Sequence, residues 1–140
     1  MLAPLGKSSV DKMSELMPEY AELLKHIRLY EDDTYSGAAV WYKDKLLAIG
    51  GLVVCQGVAQ TWMVVSDAGI NHPRCLTFGV REFLRRELRK CKFHRLEARV
   101  NVKHEQAAAF VEVLGFVNEG RNRLYYQDGT DAYLYAWTVG

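Results

Sequence analysis

Apolar side chains recur along this chain at two different spacings. Between residues 95 and 101 the apolar positions alternate with Glu97, Arg99 and Asn101, which is typical of a strand with one buried face. From residue 104 to 114 they recur every three or four residues, as on one side of a helix. Gly115 then suits a left-handed position after the helix, with Phe116 as its apolar contact. The apolar residues concerned are Leu96, Ala98 and Val100 in the strand and Ala107, Phe110, Val111 and Leu114 in the helix.

The first 35 residues predict a helical front. Ser8 or Ser9 is suited to cap a helix from about residue 10 to 17, and Pro18 suits the first turn of a second helix. The apolar stripe of that second helix consists of Tyr20, Leu23, Leu24 and Ile27. Acidic residues at 31–33 then end it.

Three strands are predicted next, in a meander. Apolar runs at 38–42 and 46–54 flank Lys43-Asp44-Lys45 and predict a hairpin. A third strand over 61–66 follows a turn through Gln56-Gly57, and residues 67–72 are predicted as a loop.

A long helix is predicted from Pro73 to about Lys92, because apolar residues recur there at helical spacing. Its core stripe consists of Leu76, Val80, Phe83, Leu84, Leu88 and Cys91. Near the C-terminus, Asp128-Gly129 between the runs 123–127 and 132–139 is typical of a hairpin.

The element order is therefore two helices, three strands, a helix, a strand, a helix and two strands, which predicts an α+β fold with a mixed sheet. A chain of 140 residues has the length of one domain that can bury a core without disulfides. We expect a single domain over 1–140, with a helical front at 1–35 and a sheet at 36–140 that carries the long helix 73–92 and the short helix 104–114.

Composition narrows the picture only modestly. A net charge of +1 indicates no particular partner. Cys55, Cys75 and Cys91 are odd in number and lack paired spacing, so we expect free thiols and no metal site. No run approaches the about 20 apolar residues that span a bilayer, and the N-terminus lacks signal-peptide features, so the sequence predicts a cytoplasmic protein or a component of an assembly made there.

The segment from Val100 to Phe116 resembles the last strand and helix of the GNAT (GCN5-related N-acetyltransferase) fold. The usual family pattern there is an Asn, an Ala three residues on, an aliphatic–Tyr pair and Leu-Gly-Phe. In this chain Leu114-Gly115-Phe116 matches, His104 stands at the Asn position, and Val111 stands where many members carry the Tyr that protonates the leaving thiolate. The resemblance implies a mostly antiparallel sheet of about six to seven strands flanked by about four helices, with its first strand compressed into residues 1–5.

Further local sequences look like the small GNAT-like proteins of tailed bacteriophages, some named internal virion proteins. They are Leu47-Ala48-Ile49-Gly50-Gly51, residues 62–67, the His72-Pro73 helix start, residues 114–120 and residues 128–133. The likeness covers roughly Val40 to Trp137.

The family resemblance implies a coenzyme A site. Family members hold the pyrophosphate on backbone N–H groups where a Gly-rich loop enters a helix. The corresponding region here, residues 68–75, contains one glycine, and Pro73 removes a donor. The implied cofactor-binding set is the backbone of Met63, Val64 and Val65, the helix start at Asn71, His72, Arg74 and Cys75, and the side chain of His104. The alternative is that Asn71 caps the helix, His104 caps the short helix or is exposed, and no ligand binds.

Candidates for proton transfer are Asp67 and Ser66, at the end of the third strand, and Tyr125. Each is also explained as a cap, a solvated charge or a packing residue. Tyr126 and Tyr133 are further phenols that could replace the missing Tyr, although Tyr133, Tyr135 and Trp137 alternate as packing residues would.

The long helix also carries a basic side formed by Arg81, Arg85 and Arg89, which could meet nucleic acid or an acidic protein. The alternative is a solvated surface balanced by the acidic front, because no aromatic residue is expected on that side.

Two functions remain open from the sequence. The first is an acetyl-CoA-dependent N-acetyltransferase acting on an unknown amine. The second is a non-catalytic GNAT-like phage protein with a role in virion assembly, genome delivery or binding of a host protein, possible as a homo-oligomer or virion component. The altered phosphate loop and Val111 favour the second.

Overall fold

A computed structural model describes residues 1–29, 31–90 and 92–139. Within these ranges the chain forms seven strands and five α-helices. In chain order they are β1 (Leu2–Pro4), α1 (Lys7–Leu16), α2 (Ala21–Leu24), β2 (Tyr35–Tyr42), β3 (Lys45–Cys55), β4 (Val58–Val65), α3 (Asp67–Asn71), α4 (Pro73–Arg89), β5 (Arg95–Asn101), α5 (Glu105–Val113), β6 (Val117–Asn122) and β7 (Ala132–Thr138). The expected role of Cys91 in the helix stripe lies outside the described residues.

All seven strands belong to one sheet with the order β1-β2-β3-β4-β5-β7-β6. Neighbouring strands are antiparallel except β4 and β5, which run parallel and are joined through α3 and α4. The predicted α+β fold with a mixed, mostly antiparallel sheet is therefore confirmed, and the compressed first strand is present as β1.

The two predicted turns of the meander are both present. Tyr42 pairs with Lys45 across a two-residue turn, and Cys55 pairs with Val58 across the Gln56-Gly57 turn. Gln56 and Gly57 have φ angles of 52° and 82°, as the hairpin turn with two left-handed residues requires. A side chain at Gly57 would also meet the His94 ring at 2.5 Å, so this turn admits little besides glycine.

Helices cover the sheet on both faces. On the front face, α1 and α2 bury Met13 and Leu24 against Ile49 and Val64. On the back face, α4 and α5 pack on a cluster that includes Phe83, Leu96, Phe116 and Tyr135. Gly115 follows α5 with φ 98°, and the Phe116 N–H donates to the Val111 carbonyl at 3.1 Å, which confirms the predicted glycine end of this helix.

The front segment departs from prediction. Helix α1 begins at Lys7 with Gly6 as its N-cap residue, while Ser9 is buried and its hydroxyl donates to the Gly6 carbonyl at 2.9 Å. The predicted caps Ser8 and Ser9 are therefore wrong, because Ser9 is used one turn inside the helix. The prediction of one continuous second helix is also wrong. A 3-10 turn at Pro18–Tyr20 leads into the one-turn α2, and Ile27, which lies beyond the end of α2, packs on the core.

The C-terminal hairpin also differs from prediction. Its first strand is β6, and residues 123–131 form the loop to β7. Asp131 holds this loop, because its carboxylate accepts the Leu124 N–H at 2.9 Å and the Arg121 Nε at 2.6 Å. Asp128 accepts the Thr130 N–H at 2.9 Å, so the Asp-Gly pair makes a turn within the loop.

Three smaller corrections concern the helices of the back face. Residues 67–71 form the short helix α3, where the sequence predicted a loop, because Ser66 caps them. Helix α4 ends at Arg89 and α5 begins at Glu105. In α5 Ala108 packs on the core while Ala107 is exposed.

Glu87 is a buried carboxylate on the core side of α4, and the apolar stripe did not predict it. It is 2% exposed, and its Oε2 lies 2.8 Å from Lys90 Nζ and 3.4 Å from Arg86 Nε. Burial opposes its ionisation, but hydrogen bonds from Lys90 and Ser36 and the charges of Lys90 and Arg86 outweigh burial and hold the pKa of Glu87 below its ordinary value. The ionised side chain therefore connects α4 to β2.

We expect Phe83→Ala to lower the free energy of unfolding by about 3–5 kcal/mol, because the ring is 8% exposed and the substitution leaves a cavity. The matched control is Phe78→Ala on the same helix, which should change it by less than about 0.5 kcal/mol because that ring is 68% exposed. Urea denaturation of both variants measures the difference. Equal midpoints for the two variants would contradict the packing described for α4.

We expect Glu87→Gln to cost about 1–3 kcal/mol at pH 7, because it leaves two cations without their charged acceptor. A carboxyl group with a lowered pKa contributes stability above its unfolded pKa and loses it as the pH falls through the folded pKa. The gap between wild type and variant should therefore close below the ordinary glutamate pKa. Denaturation between pH 7 and pH 3 measures this, with the exposed Glu82→Gln as control; a gap that does not narrow over this range would refute the ionic role of Glu87.

Candidate active-site cleft

The most distinctive feature of the sheet is a parting between β4 and β5. The two strands are paired only from Val58 and Arg95 to Thr61 and Ala98. Beyond that point β4 continues to Val65 on β3, whereas β5 continues to Asn101 on β7. The sheet therefore opens into a wedge whose wide end lies at the carboxyl ends of both strands. We call this wedge the β4–β5 cleft.

The main chain of Met63 and Val65 faces this cleft. The Ser66 N–H donates to the Leu47 carbonyl at 3.0 Å, so Ser66 and every second residue before it bond to β3. Val64 therefore faces β3 with its main chain, and its side chain is buried on the front face. Met63 and Val65 present their N–H and C=O groups to the side where β5 has departed. Of the three strand residues implied for the cofactor, the structure brings two main chains into the cleft.

Ser66 closes the end of β4 and starts α3. It is 1% exposed, its Oγ donates to the Leu46 carbonyl at 2.6 Å, and it accepts the Gly69 N–H at 3.2 Å. A Cβ at Gly69 would lie 2.4 Å from the Leu47 carbonyl oxygen, so α3 sits directly on β3. The Ser66 hydroxyl is thus committed to the fold, and Ser66 is not available for proton transfer. Asp67 is exposed in the first turn of α3.

Helix α4 begins at the wide end of the cleft. His72 is its N-cap residue, and its Nδ1 lies 2.8 Å from the Ala68 carbonyl oxygen while its ring packs on Tyr42. Asn71, the predicted cap, is instead the last residue of α3. Pro73 has no N–H, and the first intrahelical bond runs from Leu76 to His72 at 3.0 Å. The N–H groups of Arg74 and Cys75 are therefore the donors that this helix start presents.

Helix α5 spans the cleft on the back face. Phe110 packs against the cluster of Val40, Leu47, Ala48 and Leu76, which belongs to β2, β3 and α4 on the other side of the cleft. Arg81 Nη2 of α4 donates to the Val113 carbonyl of α5 at 3.1 Å. His104 is the exposed N-cap residue of α5 and makes no side-chain cap bond. It follows the carboxyl end of β5, and therefore lies at the wide end of the cleft.

A polar network lines the front of the cleft at its narrow end. Gln60 Oε1 accepts Arg99 Nη1 at 2.5 Å, and Gln60 Nε2 donates to Glu97 Oε1 at 3.1 Å. Arg99 Nε donates to Asn122 Oδ1 at 3.2 Å, and the Arg99 guanidinium lies over the Tyr125 ring. Glu97 also bonds Arg95 Nε at 2.8 Å. The network holds the two half-sheets in register where they separate.

The Tyr126 hydroxyl lies at the cleft. The Glu97 carbonyl accepts the Thr61 hydroxyl at 2.9 Å and so points towards β4. The Arg99 carbonyl, two residues further on, points the same way, but at this position β4 is no longer paired with β5. The Tyr126 hydroxyl donates to the Arg99 carbonyl at 3.5 Å. Burial and the phenols of Tyr125 and Tyr20 raise the pKa of Tyr126, and Arg99 only partly opposes them. Tyr126 therefore keeps its proton at neutral pH.

Other tyrosines are arranged differently. Tyr125, the predicted candidate, is half-exposed and makes an edge contact with Tyr126. Tyr135 is buried on the back face and donates to Glu112 Oε2 at 2.6 Å; burial, followed by that hydrogen bond, raises its pKa to about 12. Tyr133 packs on the same core cluster, as the alternating pattern predicted.

Tyr35 is a polar residue of the front face that the sequence reasoning did not single out. It is 6% exposed, and its hydroxyl is a buried oxygen without a hydrogen bond of normal geometry among the described residues. Burial raises its pKa, against the opposing effects of the Trp62 indole and the Arg28 charge. The Arg28 guanidinium lies 5.3 Å from the ring centroid.

The Gln60–Arg99–Asn122 contacts and the place of Tyr126 were not predicted from the sequence either. The alternation at 95–101 did indicate a polar face that includes Glu97 and Arg99. Which residues of β4 and of the 123–131 loop meet that face depends on tertiary pairing, for which the sequence carries no local signal.

No cluster of His, Cys, Asp or Glu in the described part of the chain could hold a metal ion. None of the described helices is long and apolar enough to cross a bilayer.

Comparison with known proteins gives a fold but no close relative in sequence. No protein-family model matches the sequence, and no curated protein matches it. An acetyltransferase of the GNAT family from Streptococcus pneumoniae superposes with a TM-score of 0.77 at 15% identity, over 100% of this chain and 99% of that one.

Two further similar structures are acetyltransferases named for their substrates. The ribosomal L7/L12 α-N-protein acetyltransferase RimL superposes with a TM-score of 0.78 at 13% identity, over 99% of this chain and 92% of that one. A spermidine N-acetyltransferase chimera from Vibrio cholerae and hSSAT superposes with a TM-score of 0.73 at 18% identity, over 99% of this chain and 96% of that one. Together with the strand order and the β4–β5 cleft, these likenesses show that the chain has the fold of the GNAT acetyltransferases.

Proposed function

We propose that the protein is an acetyl-CoA-dependent N-acetyltransferase whose cofactor binds in the β4–β5 cleft. The observation that carries this proposal is the open edge of β4, where Met63 and Val65 present main-chain groups beside the start of α4. Unpaired main-chain groups of this kind require water or a ligand as partner. The acetyltransferase fold supports the same assignment.

The residues present fit coenzyme A in part. The Arg74 and Cys75 N–H groups lie at a helix N-terminus, whose positive end favours a diphosphate, and the exposed Arg74 side chain adds a charge. Asn71 and His72 follow β4 and His104 follows β5, so we expect all three to add polar groups at the same wide end of the cleft. Because α3 replaces the Gly-rich loop and Pro73 lacks a donor, we expect weaker affinity than an intact loop would give.

Acetyl-CoA supplies a thioester whose acetyl group passes to an amine, with a C–N bond formed as the C–S bond breaks, so the departing sulfur needs a proton. Val111 of α5 cannot supply one. We assign this role to Tyr126, because its hydroxyl lies at the cleft and, like any tyrosine, carries its proton at neutral pH. The proton of the attacking amine leaves through water, since Asp67 is exposed and Ser66 is committed to α3.

The acceptor would enter from the front face, between the helical front and the 123–131 loop. Tyr20 and Tyr126 approach each other there closely enough for Tyr20 to raise the pKa of Tyr126. Tyr35 and Trp62 belong to the same face, on β2 and β4. The structural neighbours act, by their names, on a polyamine and on a protein N-terminus, so the fold leaves the class of amine open.

The second candidate function is non-catalytic. The features that favour it are Pro73 at the helix start, Val111 in place of the Tyr, and Phe110, which bridges the back of the cleft. On this alternative the chain is a GNAT-like phage protein that acts in virion assembly, genome delivery or host-protein binding, in the host cytoplasm or the virion. Acetyl-CoA binding separates the two functions.

We expect wild-type protein to bind acetyl-CoA and Arg74→Glu to bind about tenfold more weakly, which corresponds to about 1.4 kcal/mol. The reversed charge repels the diphosphate at the start of α4. Isothermal titration calorimetry measures both, with Lys12→Glu on α1 as a charge-matched control that should bind as wild type does. If millimolar acetyl-CoA gives neither heat nor a thermal shift, the proposed acetyltransferase function is refuted and the non-catalytic function remains.

We expect Tyr126→Phe to lower kcat by about 100-fold without changing acetyl-CoA affinity, because a positioned general acid contributes about that much. Thiol release from acetyl-CoA, with spermidine or a peptide with a free N-terminus as acceptor, measures the rate. The half-exposed Tyr125→Phe is the matched control and should change kcat by less than about threefold. An unchanged kcat in Tyr126→Phe would remove Tyr126 from the chemistry while leaving the cofactor site intact.

A further inference from the structure

We propose that the exposed face of α4 binds single-stranded nucleic acid. Six residues form this face: Arg74, Phe78, Arg81, Glu82, Arg85 and Arg89. At about 100° of rotation per residue, they lie within about 100° of one another around the helix axis, so they form one stripe. We call it the arginine stripe. It is separate from the core side of α4, which carries Leu76, Phe83 and Glu87.

The stripe has the length and chemistry of a site for a phosphate backbone. Arg74 and Arg89 are about 22 Å apart along the helix, and Arg81, Arg85 and Arg89 follow one another at about 6 Å, from a rise of about 1.5 Å per residue. Guanidinium groups bind phosphate with paired hydrogen bonds. Arg81 is oriented by its bond to the Val113 carbonyl at 3.1 Å and still carries its full charge.

Two acidic residues of the front lie near cations outside the stripe. Asp33 pairs with Lys92 at 3.7 Å, and Glu31 lies 3.9 Å from Arg86, so these acids act beside the stripe. Glu82 is the one acidic residue among the six. Arg85 is exposed and makes no ion pair with the described residues.

Phe78 selects nucleic acid over a merely acidic partner. Its ring is 68% exposed in the middle of the stripe, which corrects the expectation that no aromatic residue lies on this side. Beside it, a groove of about 420 Å³ is lined by Leu2, Phe78, Glu82, Arg85, Arg86 and Arg89. An aromatic ring among arginines provides a stacking surface for an unpaired base, which a duplex does not offer and an acidic peptide does not need.

The test is fluorescence anisotropy with labelled 12-nucleotide oligouridylate and oligothymidylate, at 50 to 200 mM salt. We expect wild type to bind with an affinity that falls steeply with salt, Arg85→Glu to bind at least tenfold more weakly with a smaller salt slope, and Phe78→Ala to bind about tenfold more weakly with an unchanged slope. Glu82→Gln should bind more tightly. Lys12→Glu is the charge-matched control and should bind as wild type does.

Three results would overturn the proposal: no binding at 50 mM salt, equal affinity of Phe78→Ala and wild type, or competition by polyglutamate or by duplex DNA as effective as that by the oligonucleotide. The second and third results would assign the stripe to acidic partners or duplexes. Phe78 and Arg85 lie outside the cofactor site, so acetyl-CoA titration of these two variants reports on the cleft independently. Failure of one proposal therefore does not entail failure of the other.

Discussion

The rest of the structure depends on one constraint. Where β4 and β5 separate, main-chain groups of both strands lose their hydrogen-bond partners in the sheet. The pairs β2–β3, β3–β4 and β5–β7 run along the whole length of β2, β4, β5 and β7, but beyond Thr61 and Ala98 the parallel strands β4 and β5 diverge with edges facing each other across a gap. An unmet buried main-chain group costs about as much as a lost hydrogen bond, so the gap must open to water or hold a ligand. Such a wedge is retained only if the surrounding elements hold it open.

Four contacts perform that task from three sides of the cleft. At the narrow end, Gln60 and Arg99 bind each other across the two half-sheets at 2.5 Å. On the back face, Phe110 packs on the opposite half, and Arg81 ties α4 to the end of α5. On the front, Tyr126 bonds a β5 carbonyl that β4 no longer reaches. The cleft is thus built by side chains from β4, β5, α4, α5 and the 123–131 loop, which are spread over more than 60 residues of the sequence.

This dispersion explains how much the sequence could predict. Local patterns identified the strands of the meander, the long helix and the strand and helix that end on Gly115, because alternation, helical periodicity and turn residues are short-range signals. They failed where a tertiary contact outweighed the local signal. Residues 67–71 form a helix because Ser66 caps it, and residues 123–127 form a loop instead of a strand because Asp131 binds the Leu124 N–H. The burial of Glu87 was not predicted, because a carboxylate is stable on the apolar side of a helix only when groups such as Lys90, Arg86 and Ser36 surround it.

The candidate site shows the same division between local and tertiary information. Met63, Val65, Arg74 and Cys75 were predicted from their position along a recognised pattern, since the strand and helix that carry them are continuous in sequence. Tyr126 could not be preferred to Tyr125 in that way, because the two residues are adjacent in sequence and differ only in their tertiary contacts. One ring is half-exposed beside Arg99, while the other reaches a carbonyl at the cleft. On the proposed function, Tyr126 supplies from the opposite face the proton that Val111 of α5 cannot supply. A donor placed there leaves no trace in the local motif, so valine at position 111 is weaker evidence against catalysis than the altered phosphate loop.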